Sequence, residues 1–431
     1  MNETIEKFGS WAGSQIKNHP DRVKQLLSTA YALVGTQAAY FPDKKYTSSR
    51  EYLQGYTARL MSKILRHPEK SAVVNIFMSC EIFHVLGVKV SAPEALACYV
   101  TNTAMDQPFI QAAQDHGAPE TLCSYHRTLL GMAESKVLGR PLLIANTTLA
   151  CDANQLTFRQ LAKTWDVPHF VVDVPYEPSE DAVHEVEAQL RRLGELVQEL
   201  THKRLEEEKL KEAVARSIRT QEKYLAYLKK RSRVHFPEVM TPEMLNVINN
   251  HLYLGSRQAE EYVDRLNRDL SKAPELHSDS TKLLWMHVMP NAQEAVKEIF
   301  QGADNHQVEV LACDLAYDNL VSMDPERPYE SMARRMVFSS YNGPGSRRID
   351  RTLQLARQLE ADGILIFCQW GCKQTQGLSY TAKKRFQEEG IPALILDGDA
   401  SDRTNEASGQ AMTRARAFLE EIRNLRLPPQ L

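Results

Sequence analysis

Three consecutive stretches decide the fold. They are the run Leu142-Leu143-Ile144-Ala145, the helical pattern from Leu156 to Trp165, and the run His169-Phe170-Val171-Val172-Asp173-Val174, which ends at Pro175. The two apolar runs are short, and the second is rich in β-branched and aromatic residues, as strands buried on both faces are. The pattern between them is that of a crossover helix. Strand, helix, strand in that order makes a parallel pair, so the expectation is an α/β protein with helices on the faces of parallel sheets. Further towards the N-terminus, Ala72-Val73-Val74-Asn75-Ile76-Phe77 is another strand, set off by the break His67-Pro68-Glu69-Lys70. A helix holding Ile110 to Ala113 ends at His116-Gly117, with Pro119 beyond as a stop.

Residues 1–66 read as helical, with Leu26, Leu27, Ala30, Tyr31 and Val34, then Tyr52, Tyr56, Leu60 and Ile64, at helical spacing. Beyond the deciding stretch the character changes. Val183, Val186, Leu190, Leu193, Val197 and Leu200 form a helical seam that starts at an N-cap, Ser179. A second charged helix runs from about Glu206 to Arg233, and another helical piece from about Pro242 to Leu270. The α/β pattern then returns. Strands are expected at 282–288, 308–313, 363–367 and 392–396, and helices at Gln293 to Phe300, Arg348 to Glu360, Tyr380 to Glu389 and Glu406 to Leu425. The expected fold class is α/β: two Rossmann/flavodoxin-like parallel-sheet lobes with helical N-terminal and central segments. The expected division is 1–66 helical, 67–178 first lobe, 179–275 helical insert and 276–431 second lobe. In such sheets ligands bind beyond the C-terminal strand ends.

The chain has 431 residues, a net charge of -3 and seven cysteines. The near-neutral charge carries no field for nucleic acid. The basic run Lys229, Lys230, Arg231, Arg233 reads as a solvated helix end. No stretch approaches the roughly 18 apolar residues of a membrane span. The polar start MNETIEKFGSWAGSQIKNHP is not a secretory signal. A cytoplasmic, reducing location is therefore expected, and an odd cysteine count in a large chain fits a disulfide framework poorly.

Cys151 and Cys372 fall at strand-to-helix junctions, where helix N–H groups favour a thiolate, and Cys123 falls in a loop after a helix stop. Cys123 lies in Thr121-Leu122-Cys123-Ser124-Tyr125-His126-Arg127, with Gly131 closing the motif. Cys151 lies in Cys151-Asp152-Ala153-Asn154, and Cys372 in Trp370-Gly371-Cys372-Lys373. Each is either a small buried hydrophobe or a metal ligand, and spacing alone leaves both open. No C-x-x-C pair is present, so any shared site is assembled by the tertiary fold. Cys80, Cys98, Cys313 and Cys368 stand in or beside apolar runs and read as structural. Asn342-Gly343-Pro344-Gly345-Ser346-Arg347-Arg348 opens a helix and reads equally as an anion site or an ordinary turn. Asp397-Gly398-Asp399 followed by Asp402 reads rather as a turn with capping acids than as a cation or ribose site. No GxxxxGK[ST] occurs. His84 reads as a satisfied core histidine. His126 is the best-placed histidine for proton transfer or for supporting a metal-bound thiolate from behind.

Taken together, these cysteine segments resemble subunits of the 2-hydroxyacyl-CoA dehydratase family, which includes benzoyl-CoA reductase subunits. Asn342-Gly343-Pro344 with Arg347 and Arg348 carries the resemblance further, as do Leu396-Asp397-Gly398-Asp399, Gly409-Gln410, Thr413-Arg414 and Ala417-Phe418-Leu419-Glu420. It covers residues from about 68 to the end. One departure is Ser79-Cys80-Glu81, where many relatives carry a proline before the glutamate.

The resemblance implies a 4Fe-4S cluster on Cys123, Cys151 and Cys372, with one iron left open. It implies an ATP-dependent iron–sulfur activator that injects one electron at low potential, in anaerobic metabolism. A ketyl radical anion then expels the 2-hydroxyl group and an enoyl-CoA results, so the activity implied is that of an (R)-2-hydroxyacyl-CoA dehydratase, a lyase. The absence of a P-loop fits ATP hydrolysis on the activator. The partners implied are an acyl-CoA, the activator, and a homologous sister subunit in a heterodimer, or a second copy in a homodimer. Arg347 and Arg348 are candidates for the nucleotide phosphates of the acyl-CoA. An acyl-CoA reductase subunit and a non-catalytic partner subunit are the alternative expectations.

Overall fold

The structure, a computed structural model, describes residues 3–238, 240–291, 299–300, 308–405 and 408–426. Among the described residues, eight strands make two four-stranded sheets. The first contains β1 (Ser71–Val74), β2 (Lys89–Ser91), β3 (Leu143–Thr147) and β4 (His169–Val172). The second contains β5 (Thr281–Met286), β6 (Val308–Cys313), β7 (Gly363–Gln369) and β8 (Ala393–Gly398). Their orders are β2-β1-β3-β4 and β6-β5-β7-β8, and every pair is parallel. This is the flavodoxin-like order written twice, and in each sheet the winding reverses beside the first strand: between β1 and β3, and between β5 and β7. All seven residues of β7 are buried, as its apolar run requires of a strand covered on both faces.

Side-chain chemistry sets several boundaries that periodicity misplaces. β1 stops at Val74, three residues short of the apolar run, because the Asn75 side chain takes over the pairing. Its Oδ1 accepts from the Thr147 backbone N–H at 3.1 Å and its Nδ2 donates to Thr147 Oγ1 at 3.0 Å. β5 stops at Met286 because His287 turns the chain with φ +84. The three-residue β2 is too short for periodicity to detect. β7 runs two residues past the expected end, to Gln369, and takes Cys368 into the sheet.

The N-terminal part is helical at Glu3–Gln15, Pro20–Tyr40 and Ser48–Arg66. Between the sheets lie helices Glu180–Thr201, Glu207–Arg231, Thr241–Ile248 and Arg257–Leu270, with a π-helical turn at Asn249–Tyr253. Ser179 caps the first of these, accepting from the Ala182 N–H at 3.1 Å. The two helical parts hold each other: Asp269 accepts from the Ser49 N–H at 2.7 Å and Glu238 from the Thr47 N–H at 2.8 Å. The helix expected over Gln293 to Phe300 lies mostly outside the described residues. The last helix is described over Ser408–Arg426. Among the described residues no helix is long and apolar enough to cross a membrane.

The basic run needs one correction. Lys229, Lys230 and Arg233 are exposed, but Arg231 is buried and pairs with Glu309 of β6 at 2.7 Å. Its place on the helix turns it inward over the second sheet, where a buried carboxylate requires a partner.

Candidate functional site

The two switch points face one another, and the three cysteines meet there. A cavity of about 260 Å³ is walled by Phe77 beyond β1, Cys151 beyond β3, His287 beyond β5 and Cys372 beyond β7, and Cys123 joins them. That is many times the ~10–15 Å³ needed to admit one water. Each cysteine is the N-cap of a helix: Cys123 of Ser124–Glu134, Cys151 of Asp152–Trp165, Cys372 of Lys373–Glu388. Three sets of orphan N–H groups, each at the positive end of a helix dipole, are thus gathered around one space. Gly371 makes the approach of the lobes feasible. Its φ is +77, and a Cβ there would stand 2.7 Å from the Cys123 backbone nitrogen and 2.9 Å from the Thr121 carbonyl oxygen. Only glycine fits both the conformation and the space.

Burial dominates the electrostatics. It pushes the Cys123 thiol well above the usual range, with Cys372, Asp399 and Cys151 adding repulsion. It pushes Cys151 up to about 12, with Glu94 next in weight. The lowering effect expected of the helix ends is present, since N–H groups of residues 125, 153 and 154 favour the thiolates, but burial outweighs it.

His126 is buried and held by Thr157, whose hydroxyl lies 2.8 Å from Nδ1. That hydroxyl donates to the Ala153 carbonyl at 2.8 Å, so it accepts from Nδ1–H. The bare Nε2 then faces Cys151 Sγ at 3.7 Å. Burial holds the imidazole down to about 4, so it is neutral at pH 7.

Two groups on the cavity wall were not singled out by sequence reasoning. Glu94 has a buried Oε2 with no hydrogen-bond partner among the described residues, and burial pushes its carboxyl up to about 7. His287 has a buried Nδ1 likewise unsatisfied, and burial followed by the Arg348 charge holds its pKa well below the usual value. Its left-handed backbone is a strained conformation of the kind that clusters at functional sites. The one available sequence signal for His287 was its place at the end of a strand in the second lobe. Glu94 follows a three-residue strand and carried none.

The arginine pair is split. Arg348 is only 1% exposed, gives Nε to Asp314 Oδ2 at 2.7 Å and lies over the Tyr341 ring at 4.2 Å. It braces the cavity wall at Tyr341, where a buried guanidinium needs its carboxylate. Arg347 is half-exposed and donates to the Phe338 carbonyl at 3.3 Å. Asp399 and Asp402 behave as the capping acids they resembled. Asp399 Oδ1 accepts from the N–H groups of Ser401 and Asp402, both at 3.0 Å. His84 is satisfied by the Leu252 carbonyl at 2.9 Å. Cys80, Cys313 and Cys368 are buried, and Cys313 Sγ donates to the His287 carbonyl at 3.0 Å.

The donor set suits an iron–sulfur cluster. Three cysteine sulfurs line one cavity, and the three helix N-termini they cap favour the negative charge of thiolate ligands. Among the described residues no three His, Cys, Asp or Glu stand so as to hold a single ion.

Two flavodoxin-like lobes closed on a cysteine-lined cavity define a two-lobed α/β protein whose two switch points share one cavity. The sequence matches the family described as 2-hydroxyglutaryl-CoA dehydratase, D-component, over residues 75–422, and the chain belongs to that family. It is therefore a dehydratase subunit, of the hydro-lyase class. It is similar to the (R)-phenyllactyl-CoA dehydratase alpha subunit of Clostridium sporogenes, 24% identical over 87% of this chain and 96% of the relative. The beta subunit of the same enzyme is 22% identical over 43% of this chain and 50% of that subunit. Subunit alpha of the (R)-2-hydroxyglutaryl-CoA dehydratase of Acidaminococcus fermentans is 22% identical over 63% of this chain and 58% of the relative.

Proposed function

We propose that this chain is the iron–sulfur subunit of an (R)-2-hydroxyacyl-CoA dehydratase, with Cys123, Cys151 and Cys372 holding a 4Fe-4S cluster. The observation that supports it is the convergence of three cysteine N-caps, from both lobes, on one cavity. When bound, the cluster supplies one-electron chemistry at the thioester carbonyl after reduction by a separate ATP-dependent activator.

The chain's own residues do the rest. The apolar wall, with Phe77, Val288 and Leu315, excludes water from the reacting end of the acyl-CoA. Glu94, poised near neutrality, takes or returns the β-proton and assists loss of the hydroxyl. His287, neutral and unpaired at Nδ1, holds the second proton position from the opposite lobe. His126 fixes the orientation of Cys151 from behind. Arg347 alone is assigned to the CoA phosphates. Leu156 and Trp370, exposed at and beside the mouth, offer apolar surface to a sister subunit.

Anaerobic purification with iron and sulfide analysis tests the cluster. A brown protein that loses its iron in the Cys123→Ser/Cys151→Ser/Cys372→Ser variant is expected, and a colourless wild type indistinguishable from that variant sinks the assignment. Incubation with sister subunit, activator, ATP and a panel of 2-hydroxyacyl-CoA and aromatic acyl-CoA esters tests the reaction. Enoyl-CoA formation is expected, and reduction without dehydration overturns it.

A further inference from the structure

A second cavity, of about 300 Å³, lies at the other end of the first sheet. Lys89, the first residue of β2, lines it, together with Arg216 and Arg257 from two central helices and the ring of Tyr56. The cysteine cavity lies beyond the C-terminal strand ends and Lys89 stands at an N-terminal one. The four residues of β1, about 13 Å at ~3.3 Å per residue, separate the two.

The charge around this space is lopsided. Lys203 adds its Nζ at the rim, where a Cβ on Gly87 would meet it at 3.1 Å. Burial lowers the Lys89 pKa, and Lys63, Lys70 and Lys203 lower it further, with Glu69 the acid that opposes them. Glu212 pairs with Arg216 Nη1 at 3.0 Å, and Glu260 lies near the same guanidinium. Among the described residues no carboxylate pairs with Lys89 or Arg257. Helix Arg257–Leu270 starts at the cavity. Its cap, Ser256, is engaged with the Ala259 N–H at 3.1 Å, which leaves the first N–H groups of the helix without an internal acceptor. Gly87 and Gly255, with φ of +75 and +86, bring bare backbone to the wall.

We propose that this cavity binds a phosphate-bearing small ligand, apart from the reacting end of the acyl-CoA. Lys89, Arg216 and the exposed Arg257 lining one cavity beside a helix N-terminus match a multiply charged oxyanion better than a single carboxylate. Tyr56, half-exposed and edge-on to Tyr253 at 5.2 Å, offers a face for an organic group carried by the phosphate.

Calorimetric titration of the anaerobically purified chain with pyrophosphate, ADP and free CoA tests this. Saturable binding of pyrophosphate or ADP is expected, weakened at least tenfold in Lys89→Gln/Arg257→Gln and retained in Lys89→Arg/Arg257→Lys. Stronger binding of ADP points to a nucleotide, and equal binding to the phosphate group alone. Iron content, read in the same samples, is expected to be unchanged, which separates this site from the cluster assignment. Absence of pyrophosphate and ADP binding, equal binding by the Gln variant, or binding of CoA alone overturns the proposal.

Discussion

Arg127 Nη2 stands 3.0 Å from Asp402 Oδ2 across the junction of the two lobes, with both side chains 2% exposed. The same guanidinium donates through Nε to the Leu122 carbonyl at 2.9 Å, so it also holds the residue before Cys123. Ser124 and Gln369 both reach Asp399, at 2.5 and 3.1 Å. A second tie, from Arg335 to Glu81 at 2.6 and 2.9 Å, runs along the other side of the junction. The position of Cys123 relative to Cys372 is therefore set by buried polar bonds between lobes as well as by the sheets.

Removing Arg127 takes the shared cation from two buried carboxylates, Asp402 at 3.0 Å and Asp399 at 3.7 Å. Arg127→Gln is expected to lose about 3–5 kcal/mol of stability, read by urea denaturation of the chain. Arg127→Met/Asp402→Leu removes both charges and is expected to recover part of that loss. If the double variant is no more stable than the single one, the pair contributes through packing and not through charge.

Gly371→Ala tests the close approach of the lobes. The new Cβ meets the Cys123 backbone inside 3 Å and the residue must hold φ +77, so one lobe has to move. Reduced iron retention with a native far-UV circular dichroism spectrum is the expected result. A variant with full iron content would show that the two loops have slack.

The architecture was legible because both sheets are buried and parallel: runs such as that of β7 carry their own signal, and the helices between them fix the winding. Cys151 and Cys372 were legible as residues at strand ends and Cys123 as a loop residue after a helix stop, and their reading as cluster ligands rests on the family motifs. What stayed hidden depended on distant partners. Arg231 belongs to a basic run by sequence and to Glu309 by structure. Arg348 stands in a helix-opening motif, but Asp314 claims it. Glu94 and His287 sit on opposite lobes, and neither is conspicuous until the lobes close on one cavity.

Glu309→Ala tests the Arg231 correction. Arg231 would keep its bonds to the Val234 and Val310 carbonyls, at 3.0 and 3.1 Å, but lose its countercharge in the core. A loss of about 3–5 kcal/mol is expected, against less than ~0.5 kcal/mol for Lys229→Ala on the exposed face. Equal small losses would return Arg231 to the solvated helix end.

Glu94 should impose a pH dependence of definite sign. Its carboxyl holds its proton up to about pH 7 in the fold, against 4.5 for an ordinary glutamate. Between these values the folded chain binds more protons than the unfolded one, so the group's contribution is fully present below 4.5 and is lost as pH rises through 7. Glu94→Gln cannot titrate. Its stability relative to wild type should therefore climb across that window, as read by denaturation at a series of pH values. The dehydration rate of the complete system should lose its limb near pH 7 in the same variant at unchanged iron content. A pH profile identical to wild type would remove Glu94 from proton transfer.

His287 offers the sharpest separation of shape from chemistry. Its backbone N–H bonds Asp314 at 2.7 Å and its carbonyl accepts from Cys313, so the turn after β5 is held without the imidazole. Asparagine tolerates a positive φ better than most residues. His287→Asn should thus keep the fold and the iron while losing the ring nitrogen that faces no partner. A fall in turnover of about 10²-fold or more, with KM for the acyl-CoA little changed, is expected for a group that moves a proton. His287→Gly relieves the strained φ as well, so thermal stability distinguishes the two substitutions. Full turnover in His287→Asn would leave the strained turn a purely architectural device, and the opposite lobe would have to supply both proton positions.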